Sequence, residues 1–249
     1  MTMDSIYEIP GVYGDENQFI NPSNRLNKIL KEIKSLQKPP ANVLDVGCGT
    51  GFLASEIKKI YPAASVTGVD ISKSAVAIAT TQHPGINFIE ADAEQHLPFP
   101  DGSFDFIFSG EHIEHLRDVD TYLEELCRIA APHATLIITT PNLASWLNRI
   151  LVLFGRQPLW LEPSIRKILP IASFLGHTFP EQLDDVPSGH LRLYTADMLK
   201  KMLSLYGFAT DKMMGCALLT KPVLKQVDQI LSSVPSLGIG LIIVAKKMP

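Results

Sequence analysis

Val43-Leu44-Asp45-Val46-Gly47-Cys48-Gly49-Thr50-Gly51 is the stretch on which the fold turns. A short, mostly apolar run at 43–46 reads as a buried strand. It enters a turn with three alternating glycines, and the turn opens a helix predicted over 51–61. Glycine has no Cβ and tolerates positive φ, so such a turn brings backbone close to a ligand. Working outward, strands are predicted at 65–69, 86–89, 104–108 and 134–139. Helices are predicted at 24–37, 72–80 and 119–131, with Ser72 as an N-cap and Pro39-Pro40 stopping the first. Strands alternating with helices argue an α/β chain: a doubly wound, Rossmann-like parallel sheet with helices on both faces. The rhythm breaks after Pro141 and resumes with a helix near 195–206, capped by Thr195. Strands near 208–216 and 240–245 follow, separated by a helical stretch at 223–231.

The chain has 249 residues, 46% hydrophobic and 19% charged, with Lys+Arg 22 against Asp+Glu 26 and a net charge of -4. That length fits one large domain with an elaboration. The composition excludes disorder as the main state. A pI near 6.0 argues against a general nucleic-acid binder, which needs clustered Lys and Arg. A charged fraction below the usual ~25% implies some apolar surface. Cys48, Cys127 and Cys216 are far apart and form no C-x-x-C, so neither a disulfide framework nor a zinc knuckle is expected. With no signal-like N-terminus and no spanning apolar run, a soluble cytoplasmic protein is expected.

The glycine loop is not a dinucleotide fingerprint, because the sixth position counted from Gly47 is Phe52. It is not a P-loop, and Asp45 would repel a pyrophosphate. Asp45 suits an ammonium group instead. Asp70 lies nineteen residues beyond Gly51, at the end of the second strand, where an acid can accept both hydroxyls of a ribose. Its plainer role is to favour a helix N-terminus. Asp92 follows the third strand and can accept from an adenine amino group. An ammonium, a ribose and an adenine without phosphate describe S-adenosylmethionine.

VLDVGCGTG (43–51), VTGVDIS (66–72), ADAEQHLPFPDGSFDFIFS (91–109) and TLIITTPN (135–142) together resemble a class I S-adenosylmethionine-dependent methyltransferase. The resemblance is strong over 41–142 and weak over the last fifty residues. It implies a seven-stranded sheet of order 3-2-1-4-5-7-6 with the last strand antiparallel. It implies that Asp45, Gly47, Cys48 and Gly49 border the methionine moiety and that Asp70, with Ile71 beside it, takes the ribose. Asp92 and Ala93 flank the adenine, and Ser109 sits near the sulfonium. On this reading 1–40 is an N-terminal segment and helix, and 41–249 is the methyltransferase domain. Residues 142–189 form a lid-like, mostly helical insertion after the fifth strand.

Gly110-Glu111-His112-Ile113-Glu114-His115-Leu116 follows the fourth strand, at the sheet edge where ligands bind. If helical, Glu111, Glu114 and His115 share a face. With His190 they form a candidate Mg or Zn site, similar to those of small-RNA 2′-O-methyltransferases and of quinone-biosynthesis O-methyltransferases. The plainer reading has them capping or pairing on the helix. His112 and His115 are also general-base candidates.

The insertion carries Trp146, Leu147, Ile150, Leu151, Leu153 and Phe154 on an apolar face, with Arg149 and Arg156 beside it. Its cations Arg149, Arg156, Arg166 and Lys167 match its anions Glu162, Glu181, Asp184 and Asp185 in number, so a strongly anionic polymer substrate is not implied. Three roles fit that face: packing on the core, a lid over an aromatic or lipid-like acceptor, and peripheral membrane or dimer contact through 146–161. Tyr7, Tyr13 and Phe19 could form a second flap. The expected reaction is methyl transfer to a small-molecule acceptor, most readily at oxygen. The alternatives are an RNA 2′-O-methyltransferase with a metal site, disfavoured by the low basic content, and an inactive methyltransferase-like scaffold, disfavoured by the intact cofactor residues.

Overall fold

The computed structural model describes residues 24–164, 172–174, 177–179, 189–219 and 222–249. Seven strands form one sheet: β1 (Asn42–Val46), β2 (Ser65–Asp70), β3 (Asn87–Glu90), β4 (Phe104–Gly110), β5 (Ala130–Pro141), β6 (Phe208–Cys216) and β7 (Gly240–Lys247). Their order is 3-2-1-4-5-7-6, as the resemblance implied. Strands β1 to β5 are parallel, and β7 runs antiparallel to β5 and β6. The helices are α1 (Asn24–Lys34), α2 (Phe52–Ile60), α3 (Lys73–Gln82), α4 (Val119–Ile129), α5 (Trp146–Leu153), α6 (Ala196–Leu205) and α7 (Pro222–Leu231).

Side chains alternate across the strands and feed two cores. Leu44, Val46, Ile107, Leu136, Ile138 and Ile243 point to one face, where Tyr122, Leu123 and Leu126 of α4 and Leu199 and Leu203 of α6 cover them. Val43, Phe106, Phe108, Ile137 and Ile242 point to the other, covered by Ile29 and Ile33 of α1 and by Ala54 and Ile57 of α2. The predicted caps are present: Ala75 N donates to Ser72 Oγ (3.2 Å) and Met198 N to Thr195 Oγ1 (3.2 Å). A third apolar cluster joins Trp146, Leu147 and Leu151 of α5 to Leu159 and Ile239.

The described part of the insertion holds one element that the apolar spacing did not predict. Among the described residues it carries α5 and a two-stranded antiparallel hairpin, Ala172–Phe174 with His177–Phe179. Short β pairs carry little periodicity, so the apolar count alone did not reveal it. Tyr7, Tyr13 and Phe19, and the charged Arg166, Lys167, Glu181, Asp184 and Asp185, lie outside the described residues.

Candidate active site

The register sets Val46 beside Val69 on one side and Ser109 on the other, so the loops after β1, β2 and β4 meet at the carboxyl edge. The order reverses between β1 and β4, the crevice where open α/β sheets take ligands. Gly47, Gly49 and Gly51 have φ of 71°, 51° and 83°. These left-handed values account for the glycines at this spacing. Gly47 N and Cys48 N both donate to Val69 O, at 2.9 and 3.0 Å, folding the loop back onto β2. A Cβ on Gly47 would meet His112 Cδ2 at 2.6 Å.

Asp70 fastens this loop. Its Oδ2 accepts from Gly49 N (2.8 Å) and its Oδ1 from Ser72 N (2.9 Å). The helix-terminal role weighed for it is present, since the carboxylate pins the start of α3, and the same side chain holds the glycine loop. Asp45 is buried, and its Oδ2 has no hydrogen-bond partner. Burial pushes its pKa up to about 7, opposed by a backbone hydrogen bond from Ala54 and reinforced by Asp70. Cys48 is buried and its thiol is pushed far up by burial and the two aspartates, so it is a small loop residue and not a nucleophile. Asp92 Oδ1 accepts from Glu94 N (2.9 Å), Ala93 is buried, and Ile71 is exposed beside Asp70.

Ser109 is fully buried, and its Oγ accepts from Tyr122 OH at 2.6 Å. The side chain is thus engaged by α4. The segment after β4 is not an α-helix either. Glu111 takes a left-handed φ of 50°, and a single 3-10 turn covers Ile113–His115. The shared helical face expected of Glu111, Glu114 and His115 does not form. Glu111 Oε2 pairs with Arg25 of α1 (2.6 Å), and its Oε1 accepts from Thr139 Oγ1 (2.9 Å).

Glu114, His115 and His190 do come together, each offering a ligand atom within 4.8 Å of the others. Glu114 is fully buried; Oε2 accepts from Thr140 Oγ1 (2.9 Å) and Oε1 has no partner. Burial, with Glu111 nearby, holds its pKa well above the carboxylate range. Burial and the neighbouring His190 and His112 lower His115 to about 3. His115 Nδ1 lies 3.3 Å from Gly189 O and His190 Nδ1 lies 3.1 Å from Trp160 O. Trp160 adopts a positive φ of 69°, and its Nε1 is buried without a partner, as is Tyr194 OH.

His112 parts company with His115. It lies over Gly47, edge-on to Tyr122, with ring centroids 5.5 Å apart. Sequence reasoning missed Arg25, Trp160 and Tyr194. Arg25 heads a helix that also carries Lys28, Lys31 and Lys34, and nothing local distinguishes it.

Comparison with known proteins agrees with this geometry. Residues 44–138 match the family model described as a methyltransferase domain. The demethylmenaquinone methyltransferase of Chlorobaculum tepidum is 28% identical over 183 residues, 73% of this chain and 70% of its own. The O-methyltransferase cnsE of Penicillium expansum is 32% identical over 151 residues, 55% of this chain and 54% of its own. A solved Thermotoga maritima structure, described as a methyltransferase and possible histamine N-methyltransferase, shares the fold. It has a TM-score of 0.61 at 21% identity, covering 99% of this chain and 100% of that one. With the glycine loop, the sheet order and the family match in agreement, the chain is a class I S-adenosylmethionine-dependent methyltransferase, similar to those of quinone biosynthesis.

Proposed function

We propose that the enzyme transfers the methyl group of S-adenosylmethionine to an oxygen of a small-molecule acceptor. The observation that carries this reading is the Glu114–His115–His190 group beyond β4, with ligand atoms within 4.8 Å of one another, Glu114 buried and both histidines half-buried. An amine can attack the sulfonium methyl with its own lone pair, whereas a hydroxyl must lose its proton during or before attack. In the transfer the methyl C–S bond breaks, the C–O bond forms and the sulfonium becomes a neutral thioether. The acceptor's proton passes to the group. Burial raises Glu114 above the carboxylate range, whereas His115, lowered to about 3, is a poor base alone. The general-base role first assigned to His112 and His115 thus shifts toward Glu114.

In this reading Asp45 takes the cofactor's ammonium, and Gly47, Cys48 and Gly49 lie along the methionine. Asp70 takes the ribose, with Ile71 beside it, and Asp92 and Ala93 flank the adenine. Ser109, its hydroxyl engaged by Tyr122, borders the sulfonium through its main chain. Residues 41–249 form the methyltransferase domain, and the described part of 142–189 covers the acceptor. Supporting this, Leu159 N donates to Asn148 Oδ1 (2.7 Å) and Gly189 N to Glu162 Oε2 (2.9 Å), tying both ends of the insertion. The three free cysteines fit action in the cytoplasm.

Labelled methyl transfer against matched phenol, amine and thiol acceptors tests this. We expect transfer to the phenols, reduced at least tenfold in Glu114→Gln. Transfer to amines alone would sink the oxygen assignment.

The same three residues support a second reading, a divalent Mg or Zn site. Each histidine sets Nδ1 against a backbone carbonyl, the arrangement that orients Nε2 toward a metal. Bound there, the ion would draw acceptor oxygens in and acidify a hydroxyl. Glu111, the fourth ligand expected from sequence, is held by Arg25 and Thr139 instead. Full turnover in excess chelator, with no metal on elemental analysis, would end this reading.

The described part of 146–161 also fits a peripheral contact. Ile150, Leu153 and Phe154 share one face of α5, and Leu153 and Phe154 are 78% and 73% exposed. Arg149 and Arg156 are the segment's charged residues and it has no acid, so an anionic lipid surface is the partner favoured. No helix among the described residues is long and apolar enough to cross a membrane.

A further inference from the structure

Trp160 holds a φ of 69°, in the left-handed region. That conformation is costly for so large a residue and persists only where the surroundings fix it. Here they do. Asn148, buried on α5, accepts from Leu159 N through Oδ1 (2.7 Å). Trp160 O lies 3.1 Å from His190 Nδ1, and Gln157 Nε2 donates to Leu161 O (2.7 Å). Glu162 Oε2 accepts from Gly189 N (2.9 Å). Residues 159–162 are thus held one after another, by α5 and by the segment that enters α6. The indole N–H is the exception, since Nε1 is buried without a partner. The chain's other tryptophan shows the contrast: Trp146 Nε1 donates to Asp228 Oδ1 at 2.9 Å. An indole N–H can only donate, and one left unpaired in so braced a frame calls for a ligand.

Its position says which ligand. The Trp160 ring meets His190 edge-on, with centroids 6.0 Å apart at 73°. His190 in turn offers a ligand atom within 4.8 Å of Glu114 and His115. Glu114 Oε1 is buried and unpaired as well. An orphaned carboxylate oxygen and an orphaned N–H therefore both border His190, and their demands are opposite. Glu114 is met by a hydroxyl that donates, and Trp160 by an oxygen that accepts. One small molecule answers both when it carries the two oxygens near each other.

We propose that Trp160 is an acceptor-recognition residue whose indole N–H donates to a second oxygen of the acceptor, an ether or carbonyl set near the hydroxyl that is methylated. This rests on the placement of the acceptor at Glu114 given above, and adds what that acceptor must carry. A site built to hydrogen-bond a substrate atom rejects the analogue that lacks it, because its own buried group is then left unpaired.

Matched probes test it: 2- and 3-methoxyphenol against 2- and 3-ethylphenol, which exchange an oxygen for a methylene. The direct readout is the pair of indole N–H signals in nitrogen-15 spectra of the full chain with S-adenosylhomocysteine bound. At least one methoxy compound should move the Trp160 signal downfield and leave that of Trp146 in place, and the ethyl compounds should give no downfield shift. In turnover, kcat/KM should favour that methoxy compound over its ethyl partner about tenfold, the effect of one buried polar contact. Trp160→Phe, which removes the donor, should bring the ratio close to one by slowing the methoxy compound alone, with affinity for S-adenosylhomocysteine within twofold. Trp160→His, which returns a ring N–H, should recover part of the ratio. If the variants fold poorly, the wild-type spectra decide. The assignment is overturned if neither methoxy compound moves an indole signal downfield, failure of both to bind included. It is equally overturned if Trp160→Phe slows methoxy and ethyl compounds alike, the mark of a packing role. 2-Methoxyaniline against 2-ethylaniline separates this contact from the oxygen assignment. Transfer to nitrogen alone with the methoxy preference kept would remove that assignment and leave Trp160 its role. Transfer to the phenols with no methoxy preference would do the reverse.

Discussion

Two buried carboxylates, Asp228 and Asp45, sit in opposite circumstances. Asp228 of α7 is fully buried, and four donors meet it: Trp146 Nε1 (2.9 Å) and Ser232 Oγ (3.0 Å) on Oδ1, and Leu218 N (2.8 Å) and Leu219 N (3.0 Å) on Oδ2. Asp45 is buried almost as deeply at 2% exposure, and its Oδ2 has no partner. Glu114, Trp160 and Tyr194 at the carboxyl edge carry further orphaned atoms, as does His83 beside Gly51; Thr210 carries another on β6. Equal burial thus serves two ends. A fully satisfied carboxylate ties distant elements into one unit, and an unsatisfied one reserves its hydrogen bonds for a ligand.

The sharpest way to break this contrast is Asp228→Ala. It strands an indole N–H and two backbone N–H groups at the junction of α5, α7 and the end of β6. Unfolding by denaturant should show a loss of roughly 3 kcal/mol, since each buried unsatisfied donor costs about 1–3 kcal/mol. Affinity for S-adenosylhomocysteine should stay within twofold. A stable variant with lost affinity would mean that Asp228 serves the site and not the scaffold.

Asp70→Ala should do the reverse. It frees Gly49 N and Ser72 N, which hold the glycine loop and the start of α3. With the proposed ribose contact also gone, affinity should fall about a hundredfold, or about 2.7 kcal/mol. A drop smaller than threefold would leave Asp70 with its structural role only.

Asp45 gives a pH-dependent test. Its carboxyl titrates near 7 in the ligand-free fold, against an ordinary 3.8. The folded value is the raised one, so the contribution to stability is complete below the unfolded pKa and is lost as pH rises through about 7. On the proposed placement, the ammonium of the cofactor pairs with the ionised form. Affinity for S-adenosylhomocysteine should therefore climb about tenfold for each unit below 7 and level off above it. Asp45→Asn should flatten the profile. A flat wild-type profile would mean that the orphaned oxygen does not receive the ammonium.

The same contrast explains what the sequence made legible. Gly47, Gly49 and Gly51 were readable because left-handed φ values leave few other residues, and Ser72 and Thr195 because capping is local. Asp70 was readable at its spacing, although its hold on Gly49 N was not. The Asp228 knot was invisible, since its partner Trp146 lies 82 residues away and neither residue disturbs its helix's periodicity. The segment after β4 misled for a different reason. Five residues with acids and histidines at i, i+3 and i+4 fit a helix, but Glu111 breaks into positive φ to reach Thr139 and Arg25. Such long-range partners decide a short turn, and no local pattern carries them.

The smallest effect on stability should come from α5, which holds both circumstances on one helix. Trp146, Leu147 and Leu151 face the core, while Ile150, Leu153 and Phe154 face out with Val152 beside them. An exposed apolar side chain contributes little to folding, so Leu153→Ser and Phe154→Ser should each change stability by less than about 0.5 kcal/mol. Their effect should appear in sedimentation with vesicles. Wild type should associate with vesicles of mixed neutral and anionic lipid, less with neutral ones and less at high salt, because Arg149 and Arg156 add charge to the apolar contact. The double serine variant should stay in solution with cofactor affinity intact. If wild type ignores both kinds of vesicle but light scattering shows a dimer that the double variant loses, a second copy covers this face. The outward residues of α5 would then join Asp228 as parts of assembly, and the contrast would narrow to the ligand-facing atoms alone.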